Sequence, residues 1–203
     1  MSFKKNKFEI IKNVLSEDVC SLAYDYLLLK REVVKMFLKT KYINPFEKDR
    51  GVFGDAQVPN TFAVYADILM ETILTKVKPT MEKVTGLKLI ETYSYARLYK
   101  KGDVLKKHTD RFSCEISSTL NLGGESWPIY LKENNKKVKV DLKPGDMLVY
   151  KGEILEHWRD AFKGTNCGQV FLHYNNLKSK NADENKYDRR PMLGLPATFC
   201  KKG

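Results

Sequence analysis

The stretch Tyr99-Lys100-Lys101-Gly102-Asp103-Val104-Leu105-Lys106-Lys107-His108-Thr109-Asp110 decides how this chain is read. Its end puts an imidazole and a carboxylate two positions apart, and on an extended backbone residues i and i+2 point to one face. The chain has only three histidines, His108, His157 and His173, so the placement of each is informative. His157 comes after several predicted strands, where a neighbouring strand can supply a third donor to His108 and Asp110. Two imidazoles and one carboxylate on one face of an octahedron leave three positions open, which suits non-haem Fe(II). None of the cysteines, Cys20, Cys114, Cys167 and Cys200, falls beside the trio, which argues against a thiolate-demanding ion. The same His-x-Asp spelling also arises from a turn or N-cap aspartate beside a surface histidine.

Upstream the pattern is helical. Ser16-Glu17-Asp18 offers a capping oxygen and two first-turn acids, and Val19, Leu22, Ala23, Tyr26, Leu27, Val33, Val34 and Phe37 predict an amphipathic helix over about 17–38. A loop with Pro45, Gly51, Gly54 and Pro59 follows. Asn60-Thr61 is expected to cap a second helix carrying Val64, Ile68, Leu69, Ile73, Leu74 and Val77, ended or kinked by Pro79, with a last turn stopping at Gly86.

Beyond Gly86 the period falls to two. Tyr93, Tyr95, Arg97 and Tyr99 alternate with smaller residues, and strands are predicted at 114–122, 127–132, 137–142, 146–151, 154–159 and 168–175. Turn signals at Gly102, Gly123-Gly124, Asn134-Asn135, Pro144-Gly145 and Gly164 separate them at the spacing of a sandwich or barrel. The expected fold is mainly β with flanking helices: helices first, then a sandwich, then a polar strap marked by Arg189-Arg190-Pro191-Met192-Leu193-Gly194.

At 203 residues the chain is sized for one domain, and 42% hydrophobic with 30% charged residues is a globular composition. No apolar run is long enough to span a membrane, and the polar, lysine-rich segment from Met1 to Lys7 has no apolar stretch behind it. The net charge of +11 favours anionic partners, yet the lysines are scattered as pairs such as Lys100-Lys101, Lys106-Lys107 and Lys136-Lys137, which reads as solvated surface. Four widely spaced cysteines without a CxxC predict free thiols and a cytoplasmic protein.

The opening stretch has the form Y-x-x-G-x-x-L-x-x-H-x-D, and after it come Thr119-Leu120-Asn121, Gly123-Gly124, Leu142-Lys143-Pro144-Gly145-Asp146 and His157. In this order of motifs the chain resembles the 2-oxoglutarate- and Fe(II)-dependent oxygenases, and within them the prolyl-4-hydroxylase-like group. The segments 108–118, 156–160 and 169–174 look like a bacterial and phage branch of it. The resemblance implies one oxygenase domain over 1–203, with a helical part at about 1–88, a double-stranded β-helix (jelly-roll, cupin-like) core at about 89–176 and a strap at about 177–203. It implies iron on His108, Asp110 and His157, 2-oxoglutarate as co-substrate with Tyr99 and Thr119 lining its pocket, ascorbate as reductant, O₂, and hydroxylation with release of succinate and carbon dioxide. The primary substrate stays open: a prolyl or other amino acid side chain in a peptide or protein, a small molecule, or a nucleotide.

In one place the chain departs from that pattern. The family usually carries an Arg or Lys nine or ten residues after the distal histidine to hold the co-substrate's far carboxylate, and here those positions are Asn166 and Cys167. Arg159 shares a strand face with His157 and is the expected substitute, because a bound dicarboxylate would pair a guanidinium otherwise costly to bury. Arg97, on the face of Tyr99, is next, then Arg111. His173, in an apolar strand, is expected to be structural. Trp127 or Trp158 could border the cleft, and Arg111 could pair with Glu115. Two alternatives stand beside the enzyme: a non-catalytic cupin-like metal-binding module, and a nucleic-acid-acting oxygenase steered by the positive charge.

Overall fold

The computed structural model describes residues 3–201. Its elements are α1 (Phe3–Asn6), β1 (Phe8–Ile11), α2 (Glu17–Lys39), β2 (Phe62–Tyr65), α3 (Ile68–Thr85), β3 (Leu89–Lys100), β4 (Leu105–His108), β5 (Ile116–Gly124), β6 (Ile129–Glu133), β7 (Lys136–Val140), β8 (Met147–Tyr150), β9 (His157–Arg159), β10 (Asn166–Asn176) and α4 (Ala182–Asn185). The strands form two antiparallel sheets, one of six in the order β1-β8-β5-β10-β3-β2 and one of four in the order β4-β9-β6-β7. No described helix is long and apolar enough to cross a membrane.

Helix α2 forms where its pattern says it should. The Ser16 hydroxyl accepts from the Val19 amide at 3.4 Å, and Cys20, Ala23, Leu27 and Val34 make the buried line. Leu22 and Val33, expected in that stripe, lie about a third of a helical turn away from it and are 66% and 39% exposed. The second helix starts later than expected. Thr61 to Tyr65 is extended, and β2 pairs antiparallel with β3 as the edge of the large sheet. The cap is Asp67 instead, which accepts from the Leu69 and Met70 amides and also takes Lys30 at 2.7 Å. Pro79 does not end α3. Met70, Ile73, Leu74, Val77 and Met81 are buried on both sides of it, and that burial offsets the one hydrogen bond proline forfeits. The part read as helical therefore also supplies two strands, β1 and β2. The strand expected at 154–159 is only three residues long, because Ile154 and Leu155 turn back onto the Lys151 carbonyl.

Strand alternation sorts the large sheet into two faces. Leu120, Leu122, Met147, Val149, Val170, Leu172, Ala96 and Leu98 join α2 and α3 in the main apolar core. Their sequence neighbours Ser117, Thr119, Tyr150, Gln169, His173, Arg97 and Tyr99 consequently point the other way, toward the small sheet, and are buried there. Two smaller clusters, around Leu131 and Leu148 and around Tyr99 and Trp127, occupy the space between the sheets. The helices thus cover one aliphatic face, and the interior between the sheets combines an aliphatic cluster around Leu131 with a polar, aromatic region.

After β10 the chain crosses back as a strap. Arg190, 3% exposed, donates to both oxygens of the buried Glu71 on α3 and to the Leu195 and Thr92 carbonyls. All four cysteines are free, three of them buried and Cys200 half-buried. Non-reducing alkylation of denatured protein followed by mass mapping is expected to label all four; a Cys114–Cys167 bridge would refute this.

Candidate metal centre

His108 closes β4, the edge of the small sheet, and stands directly opposite His157, the first residue of β9. Their rings are 4.2 Å apart between centroids. Each Nδ1 faces a backbone carbonyl two residues back, Lys106 O at 2.8 Å for His108 and Leu155 O at 2.9 Å for His157. A carbonyl can only accept, so both Nδ1 atoms carry the proton and both Nε2 atoms keep a free lone pair. Those lone pairs converge on Asp110. Its Oδ1 lies 3.7 Å from His108 Nε2 and 3.5 Å from His157 Nε2, and the three donors all fall within 4.8 Å of one another. Donors bound to one ion at about 2.0–2.2 Å sit roughly 3–4 Å apart, so neutral imidazoles and a carboxylate at these separations fit a divalent transition metal.

Asp110 is held from several sides. Its amide donates to the Gly152 carbonyl at 2.8 Å, and the Ser117 hydroxyl donates to Oδ2 at 2.7 Å. Ser117 has one proton to give, so it accepts from His173 Nδ1 at 3.0 Å, which makes His173 a buttress at the end of a hydrogen-bonded chain. Burial works against the Asp110 charge, but His157 and His173, when an imidazole takes up a proton, and the Ser117 hydroxyl hold its pKa well below the usual carboxylate range. Burial, then the neighbouring His157, lowers the pKa of His108, and burial pushes His173 down to about 4. Gly152 leaves room for the carboxylate: a Cβ there would meet Asp110 Oδ2 at 2.3 Å and Ser117 Oγ at 2.4 Å.

The three donors face a cavity of about 330 Å³ that Tyr93, Tyr95, Tyr150, Phe171 and His173 also line. Gln57, from the loop before β2, donates its amide to His108 Nε2 at 2.8 Å and must release it for that atom to bind a cation. Arg97 lines the cavity and is already paired with Asp55 at 2.7 Å, while its Nη1 donates to the Tyr99 hydroxyl at 3.4 Å. Arg159 differs. It is 1% exposed and donates to the Trp127 carbonyl and to Thr119 Oγ1 at 3.4 Å, its Nε is unpartnered, and it has no carboxylate partner among the described residues. Burial pushes its pKa below the ordinary arginine value. Thr119 in turn donates to Gln169 Oε1 at 3.0 Å.

Arg159, Thr119 and Tyr99 do not line the cavity; Leu105, the cross-strand neighbour of Arg159, and Phe171, the cross-strand neighbour of Thr119, do, and both pack in one cluster with Tyr99. Arg111 does not pair with Glu115. It takes Asp188 of the strap at 2.9 Å, whereas Glu115 accepts from the Asn176 amide and the Ser179 hydroxyl. Neither tryptophan borders the cavity: Trp127 packs on Tyr99 and Phe162, and Trp158 on Tyr130 of the small sheet's other face. Ser117 and Gln169 escaped the sequence reading although their signal was present, each being an i+2 or i+4 neighbour of a singled-out residue, Thr119 or His173, on the same strand face. Asp55 and Gln57 sit in a loop without periodicity and left none.

No protein-family model and no curated protein matches the chain. Solved structures do. A Pseudomonas putida prolyl-4-hydroxylase aligns at a TM-score of 0.62 and 12% identity over 86% of this chain and 95% of that one. HygX from Streptomyces hygroscopicus, with nickel and 2-oxoglutarate bound, aligns at 0.60 and 12% over 87% and 85%. The viral collagen prolyl hydroxylase of Paramecium Bursaria Chlorella virus-1, in its 2OG complex, aligns at 0.58 and 13% over 86% and 98%. Likeness of this kind establishes architecture: the chain has the double-stranded β-helix fold of the 2-oxoglutarate oxygenases.

Proposed function

We propose that the chain is an Fe(II)- and 2-oxoglutarate-dependent dioxygenase that hydroxylates its substrate, acting as one domain in the cytoplasm. The observation that carries this is the convergence of His108 Nε2, His157 Nε2 and Asp110 Oδ1 at the wall of a cavity, each imidazole fixed in its metal-binding tautomer by a backbone carbonyl. When bound, iron and the 2-oxo acid supply the activation of O₂, with succinate and carbon dioxide as by-products. His108, Asp110 and His157 hold the metal, and the Ser117–His173 chain keeps the carboxylate aimed. Arg159 and Thr119 bind the far carboxylate of 2-oxoglutarate, with Tyr99 beside them, and Leu105 and Phe171 must give way to let it reach them and then shield it from water. Arg97 is the second-choice anchor, because Asp55 already takes its charge. The strap tied by Arg190 and the four free thiols support one domain in a reducing compartment.

Succinate release from 2-oxoglutarate with Fe(II) and ascorbate, in the absence of primary substrate, tests the activity. Anaerobic addition of 2-oxoglutarate to the iron protein should also give a weak visible charge-transfer band. Neither signal would appear in a non-catalytic metal-binding module. Arg159→Leu is expected to raise the 2-oxoglutarate concentration for half-maximal turnover at least about tenfold, since a charge-assisted buried bond is worth about 1.5–3 kcal/mol. An unchanged requirement there, with a large rise in Arg97→Leu, would transfer the role to Arg97.

A further inference from the structure

We propose, resting on the metal reading above, that the primary substrate is a single-stranded nucleic acid, its phosphates on Lys101, Lys106 and Lys107 and one nucleoside turned toward the metal cavity. The connection from β3 of the large sheet to β4 of the small one, with the strand ends it joins, carries Lys100, Lys101, Lys106 and Lys107 against one acid, Asp103, which is 5% exposed and already takes Lys100 and the Thr61 hydroxyl. Lys101, Lys106 and Lys107 are exposed and form no ion pair among the described residues, unlike Lys132, Lys137 and Lys139, each of which has an acidic partner. Three charges without an acidic partner along one connection, one of them, Lys107, lying over the Trp158 ring at 4.5 Å, are a polyanion footprint that separate lysine pairs in the sequence did not reveal.

The position of this ridge makes it a substrate feature. A groove of about 520 Å³ runs between the β3–β4 connection and residues 56–59, walled by Lys101 and Lys106, and reaches Gln57 and His108, which also line the metal cavity. On the other side a cleft of about 880 Å³ meets the same cavity at Asp55, Gln57, Tyr95 and Arg97. Phe46, Phe53, Tyr65 and Tyr95 line that cleft, and Phe46 is 85% exposed, with an open face on which a base can stack. The cleft also holds Glu47, Asp49 and Asp55 against Lys48 and Arg97, and with three acids to two bases it favours a phosphate less than the lysine side does. A molecule with anionic and aromatic portions, joined over His108, matches the two openings, and a nucleotide within a flexible strand has that layout. A duplex keeps its bases stacked inside and presents only its backbone.

Fluorescence anisotropy of a labelled mixed-sequence DNA or RNA 10-mer, on protein without added metal between 25 and 200 mM KCl, tests this. Binding should weaken with salt at a log–log slope of about −2, as expected for three phosphates of a single strand. The variant K101S/K106S/K107S should bind at least about tenfold more weakly with a shallower slope. Phe46→Ser should lose about five- to tenfold with the slope unchanged. Absence of binding, unchanged binding in the triple variant, or equal binding of the duplex or of heparin would overturn the proposal. Because binding is read without metal, such a failure leaves the oxygenase reading to the succinate assay. Loss of succinate formation with strand binding intact would be the failure of that reading.

Discussion

Alanine in place of His108, Asp110 or His157 is expected to reduce succinate formation to background and to weaken Co(II) or Mn(II) binding by at least about a hundredfold. Residues that merely support a ligand cost about ten- to a hundredfold when removed, and a ligand itself should cost more. The site has no reserve: His173 is the one other histidine, and its Nδ1 is engaged by Ser117, with Tyr93 stacked on its ring at 4.6 Å. The three side chains line a cavity and contribute little to the apolar clusters, so the variants should keep the parent's circular dichroism spectrum. A variant that bound metal and turned over like the parent would end the assignment. His173→Gln, whose amide can still donate to Ser117, should by contrast keep the metal within about tenfold of the parent, and a loss as large as in the ligand variants would mean that the wrong histidine was chosen.

The largest effect on stability is expected at the strap. Arg190 and Glu71 form a pair whose side chains are 0% and 2% exposed, linked at 2.6 Å and 3.3 Å. Replacing Arg190 with Met leaves the Glu71 carboxylate buried with the Ser94 and Gly194 amides as partners but no cation. Breaking a buried pair from one side costs about 3–5 kcal/mol, a large share of a domain's total stability. Urea unfolding should show the free energy of unfolding falling by that amount, and Glu71→Gln added to Arg190→Met should recover much of it. A loss below about 1 kcal/mol in the single variant would show that water reaches Glu71 without the strap.

Much of the site could be read from the sequence because its chemistry is spelled by rare residues. Three histidines and one His-x-Asp step left few ways to build a metal site, and alternation along β3 and β9 put Arg97, Tyr99 and Arg159 on the inner face. The β-rich half was legible for the same reason, strict period two between turn signals. What stayed hidden was tertiary. Phe62-Ala63-Val64-Tyr65 is too short and too uniformly apolar for periodicity to separate strand from helix, and its pairing with β3 decided the matter. Arg111 found Asp188 across the fold, a choice that no local spacing encodes. The same holds for the lysines, whose grouping depends on which of them fold beside an acid.

The cross-strand placement of His108 and His157 also bears on mechanical integrity. β4 is a four-residue edge strand, joined to β9 with an irregular register and covered by no further strand. An ion bridging the two histidines acts as a clasp across the edge seam of the small sheet, and its binding energy is then shared with folding. At a metal concentration a hundred times the dissociation constant that linkage adds about 2.7 kcal/mol. A chelator would therefore weaken the pairing of β4 with β9 at its His108 end, and amide exchange over 105–108 would report metal occupancy with no enzyme assay at all.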